Sequence, residues 1–152
     1  MSEHQHGTHL HHHTTAQTAA HATWHCLIGC AAGEIVGLAI GVTFFLSLWA
    51  TIALATGLAY IAGFALALIP IMKHQGLDLK AAFRVAWLGE LISIAVMEII
   101  MNGVDYLAGG MQAGSLLNPI FWIAFAVSIP PAFLATWPVN YWLLSRELKV
   151  HH

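Results

Sequence analysis

The stretch WHCLIGCAAGEIVGLAIGVTFF, Trp24–Phe45, decides how the rest of the chain is read. Two ridges at four-residue spacing run along it: Gly29, Gly33, Gly37 and Gly41, and beside them Cys26, Cys30, Glu34 and Leu38. On a helix, residues four apart stack on one face, and these two ridges lie roughly 60° apart around the axis. The glycine ridge invites a close neighbouring helix. The cysteine–glutamate ridge then faces protein beside that contact instead of lipid.

The composition says which solvent surrounds this helix. Of 152 residues, 59% are hydrophobic and 8% charged, and the mean hydropathy is +0.73. Soluble domains carry about 25% charged residues, so this chain has too few to cover its own surface. A spanning helix needs about 20 apolar residues, and several such runs are present. The expected fold is an all-α integral membrane protein with the lipid bilayer as its first partner. The net charge is −2, and no basic patch points to nucleic acid.

From Leu27 to Met72 the chain is apolar almost without interruption. As one helix it would extend about 69 Å, more than twice a ~30 Å hydrocarbon core, so it must be a hairpin. The turn is expected near Ser47–Trp49, though no Gly or Pro marks it. The second span carries its own small-residue ridge, Ala55, Ala59, Gly63 and Ala67, which is expected to pack on the glycine ridge of the first. Four spans are expected, at about 24–46, 48–72, 79–108 and 118–145, within a membrane domain of residues 24–146. Gly76 and Asp78 end the second span and cap the third, and Asn118–Pro119 opens the fourth. Pro130, Pro131 and Pro138 predict a kink in that last span.

Lys73, Lys80 and Arg84 lie between the second and third spans, and Arg146 and Lys149 follow the fourth. With four spans these segments share a side, which the positive-inside rule makes cytoplasmic, so both termini are expected inside a bacterial inner (plasma) membrane. Residues 1–23 are polar, rich in histidine and free of Lys and Arg. They lack the basic start of a cleaved signal peptide and are expected to form a disordered tail; residues 147–152 make a short C-terminal tail. His4, His6, His9, His11, His12 and His13 are candidate metal-capturing imidazoles.

The third span is the most polar. Glu90, Met97 and Met101 share one face, and Glu98, Asn102 and Asp105 the adjacent one. Counting ~1.5 Å per residue from the expected inner ends puts Glu34 roughly 14 Å deep and Glu90 roughly 9 Å, so Glu90 is expected level with Cys30–Glu34. Ionisable groups at such depth are costly and are functional candidates by default. The expected metal ligands are His25, Cys26, Cys30, Glu34, Glu90, Met97, Glu98 and Met101, with Asn102 and Asp105 completing a polar pathway. Thiolate, thioether and imidazole together suit Cu(I) ahead of Zn or Ni. Cys26 and Cys30, four apart on one helix, are poorly placed for a disulfide and are expected as free thiols.

The segments TWHCLIGCAAGE, ELISIAVMEIIMN and WPVNYWLL, in this order, resemble a bacterial and fungal family of small four-helix membrane proteins described only as a domain of unknown function. The resemblance covers about residues 24–150 and leaves the histidine tail outside. Members often have Asp where this chain has Glu90 and Met101, and Arg where it has Tyr141. The resemblance implies the four-helix fold and no activity.

The leading expectation is therefore binding of a transition metal and its transport or transfer to a partner. The alternative is a non-catalytic structural or accessory subunit of a larger membrane complex, or a homodimer. A haem subunit is disfavoured because only His25 and His74 lie outside the tails. An enzyme is not expected, since no nucleophile–base pair or phosphate loop is present.

Overall fold

The computed structural model describes the backbone of residues 4–146 and the side chains of residues 15–146 other than His74. Four helices follow in order: α1 His4–Thr43, α2 Leu48–Gln75, α3 Leu79–Ala108 and α4 Pro119–Ser145. Each contains a segment long and apolar enough to cross a membrane, Thr15–Thr43 in α1, Leu48–Lys73 in α2, and all of α3 and α4. Neighbours pack as α1 on α2, α2 on α3, α3 on α4 and α4 on α1. The bundle is thus four-sided, and α1 meets α3 across its diagonal.

The α1–α2 seam follows the small-residue ridges. Gly29 abuts Gly63, Gly33 abuts Leu58 and Ala59, Gly37 abuts Ala55, and Gly41 abuts Thr51. A methyl group on Gly29 would stand 2.8 Å from the Gly63 Cα, and one on Gly37 would stand 2.7 Å from the Ala55 backbone nitrogen. Backbones this close exclude any side chain from the ridge, and dispersion between them replaces the hydrophobic effect that lipid removes. Thr51 takes the fourth place that the ridge spacing assigns to Ala67.

The turn between α1 and α2 spans residues 44–47. It closes with a paired hydrogen-bond motif, Leu46 N–H donating to the Gly41 carbonyl at 2.9 Å and Phe45 N–H to that of Val42 at 3.4 Å. This motif calls for a left-handed residue, normally glycine. Here it is Phe45, at φ 51°. Glycine was the signal lacking in the sequence, so the turn was expected a few residues late. Ser47 then caps α2, accepting from Ala50 N–H at 3.4 Å. The other ends follow the expected signals. Gly76 ends α2 at φ 64°, Asp78 accepts from Ala81 N–H at 3.1 Å, and Asn118 accepts from Ile120 N–H at 3.0 Å.

The first helix starts earlier than its sequence reading places it. Residues 15–23, expected in a disordered tail, are helical and continuous with the span. Ala19, Ala22, Thr23, Cys26, Leu27 and Cys30 are all buried, and their spacing is that of one helix face. Small Ala and Thr side chains make this face weakly apolar, which is why composition alone assigned it to the tail. The side chains of His4, His6, His9, His11, His12 and His13, and residues 147–152, lie outside the described residues.

Candidate functional site

The cysteine–glutamate ridge of α1 faces the bundle. Cys26 and Cys30 are buried free thiols with their sulfurs 3.8 Å apart. One turn further, Glu34 is 0% exposed and neither carboxylate oxygen has a hydrogen-bond partner. Across the diagonal, Glu98 and Asp105 of α3 are its electrostatic neighbours. Met97 and Met101 are buried in the same core cluster as both cysteines. Most of the expected sulfur and carboxyl groups are therefore gathered along one interior line.

Two of the expected residues stand elsewhere. Glu98 and Asp105, and not Glu90, are the α3 carboxyls that act on Glu34. The reason is the register of the two helices: Thr23 of α1 and Ser93 of α3 bond to the same Asn140 side chain, so Glu90 lies before that level while Glu34 lies beyond it, where Glu98 and Asp105 stand. Glu90 is buried one turn before Ser93 and has its own interactions. His25 is half-buried, and its ring packs on that of His21. Among the described residues, no three of His, Cys, Asp and Glu converge closely enough to share an ion. The expected ligand ladder is thus a file of separate stations and not a cage.

Glu98 is the best supported of these stations. Its Oε2 accepts from Asn102 Nδ2 at 3.1 Å, and the same amide donates to the Glu98 backbone carbonyl at 2.9 Å. Thr56 of α2, its hydroxyl 3.4 Å from that nitrogen, completes the group. Glu98 Oε1 and Asn102 Oδ1 have no hydrogen-bond partner. Both residues line a 220 Å³ cleft between α2 and α3, with Ile52, Thr56, Tyr60, Ala95 and Ile99. Beyond them, Asp105 rests against the backbone of Gly110 and Met111, with no regular hydrogen bond to either oxygen. A methyl on Gly110 would collide with the Asp105 carboxyl, so glycine there gives the carboxyl its place. Above it, a 370 Å³ cavity opens among Gly41, Leu46, Thr51, Tyr106, Met111 and Gln112.

A second polar group was missed in the sequence. Thr23 Oγ1 donates to the Ala19 carbonyl at 2.7 Å and accepts from Asn140 Nδ2 at 2.7 Å, while Ser93 donates to Asn140 Oδ1. These three residues tie α1, α3 and α4 together below the thiols. The usable signal was Asn140, an amide in an otherwise apolar span. Buried amides are hydrogen-bonded, so it required partners on other helices.

These features define a class, a four-helix membrane protein with a buried sulfur and carboxyl file at its core. Within that class, the chain belongs to the family described as "Domain of unknown function (DUF4396)", whose model matches residues 15–149. The match begins nine residues before the expected 24 and takes in the packed segment 15–23. No curated protein and no solved structure matches the chain.

Proposed function

We propose that this protein binds a soft transition-metal ion, Cu(I) in the first instance, and moves it across a bacterial inner membrane or hands it to a membrane partner. Glu34 carries the proposal: a fully buried carboxyl with two unpartnered oxygens, one turn from two touching thiols. A buried carboxyl without hydrogen bonds calls for a proton or a cation. Two thiolates favour soft ions, and separate stations of one or two donors favour passage over storage, because a transit site must also release its ion. Cys26 and Cys30 receive the ion. Glu34, Glu98, Asn102 and Asp105 relay it, or counter-protons, toward the cavity beyond Asp105. In this reading both termini are cytoplasmic, and a bend at Pro130–Pro131 lets α4 move relative to the file. The chain carries no nucleotide-binding motif, so the movement follows a gradient or a partner.

The test is Cu(I) content and vesicle uptake of the purified chain. Cys26→Ser with Cys30→Ser loses one Cu(I) per chain, while Glu34→Gln keeps that ion and loses uptake. Equal copper in wild type and the double variant removes the thiol site.

A second reading, a non-catalytic accessory subunit or homodimer, is favoured by the α2–α3 cleft. There a partner helix with a donor side chain would satisfy Glu98 Oε1 and Asn102 Oδ1. Stoichiometric co-purification of partner subunits, lost on Glu98→Leu, supports that reading over transport.

A further inference from the structure

The file uses neither His21 nor the exposed side of α1 below the thiols. His21 is exposed and His25 half-buried, one helical turn apart on the same face. Their ring centroids are 4.8 Å apart and the planes are inclined by 53°. Residues four apart on a helix project side by side, and two imidazoles so placed form a chelating pair. Imidazole nitrogens sit at about 2.0–2.1 Å from a bound Zn²⁺, so two donors on one tetrahedral ion stand about 3.3 Å apart. Ring centroids 4.8 Å apart place the two imidazoles within reach of one ion of this size.

We infer that His21 and His25 form a bis-imidazole site for a borderline divalent cation, Zn²⁺, Ni²⁺ or Cu²⁺, on the surface of α1. Imidazole suits these ions. The site is separate from the thiol pair in both chemistry and exposure. It takes borderline divalent ions on exposed imidazole, where the buried cysteines favour a soft monovalent one. It stands whether or not the thiol pair binds copper.

The experiment is a Ni²⁺ titration of the full-length chain in detergent, with His4, His6, His9, His11, His12, His13, His151 and His152 replaced by glutamine to silence the tails. One Ni²⁺ per chain is expected, and either His21→Gln or His25→Gln weakens it at least tenfold. Moving one ring by combining Gln17→His with His21→Gln keeps the histidine count on an exposed position but places the rings two turns apart, about 12 Å in rise. This shifted pair binds as weakly as the single variants. Helicity by circular dichroism confirms that each variant is folded, and Cys26→Ser with Cys30→Ser leaves Ni²⁺ binding unchanged. Absence of binding in the parent overturns the inference. So does undiminished binding in either single variant or in the shifted pair, or loss of binding with the cysteines.

Discussion

Glu34 and Leu38 are successive members of one ridge on α1, both fully buried, and burial favours only one of them. For Leu38 it is ordinary packing. For Glu34 it removes hydration from two oxygens and supplies no donor in return. Leaving a buried polar group unsatisfied costs about 1–3 kcal/mol, so a residue selected for stability alone would be apolar. Glu34→Leu is therefore expected to raise the thermal unfolding temperature in detergent while abolishing any ion transfer. A lower unfolding temperature would mean that Glu34 holds the bundle together. At this scale the inward orientation of Cys26, Cys30 and Glu34 was legible, because four-residue spacing fixes a shared face. Their α3 neighbours were not legible, because the register between α1 and α3 is set by packing between segments far apart in the chain, as the Thr23–Asn140–Ser93 tie shows.

Among the elements, the α1–α2 hairpin is the most closely specified. Glycine and alanine in matching register identified the seam from sequence, and the observed contacts follow it from Gly29 to Gly41. Gly37→Leu would drive a side chain into the Ala55 backbone. Overpacking of this kind costs about 1–3 kcal/mol, and more where the obstacle is main chain. The expected outcome is loss of the folded fraction in an SDS-unfolding titration, with Gly57→Leu, which meets nothing within 4 Å, as the neutral control. The hairpin turn tests the opposite sign. A left-handed conformation costs a non-glycine residue about 1–2 kcal/mol, so Phe45→Gly relaxes the backbone at φ 51°. Unfolding should then occur at higher denaturant. No such gain would mean that the exposed Phe45 ring anchors the membrane interface strongly enough to offset the backbone strain.

At the scale of the molecule, the two thiols are buried in a core cluster to which all four helices contribute. Cys26 and Cys30 should resist a membrane-impermeant maleimide added to either face of sealed vesicles, and should react fully once SDS opens the bundle. Rapid labelling of the folded protein would place the sulfurs on an open water path. Gly110→Val probes the far end of the proposed path, since it displaces the Asp105 carboxyl near the 370 Å³ cavity. Uptake is expected to fall while copper binding at the thiols stays intact. The number of spans and the α3 and α4 boundaries were legible because caps and glycine stops mark them. The diagonal placement of α1 and α3, and the Thr23–Asn140–Ser93 tie, arise from packing between segments far apart in the chain, and no local pattern announces them.

The glycine seam also bears on how the protein is made. Everything it needs lies between Gly29 and Gly63, so the hairpin is complete before the third span leaves the ribosome. The span that follows carries three carboxyls and an amide, an unfavourable passenger for bare lipid. It enters beside a finished wall whose inner surface already offers Thr56 to Glu98 and Asn102. A ridge of glycines on the first helix thereby eases membrane insertion of the third.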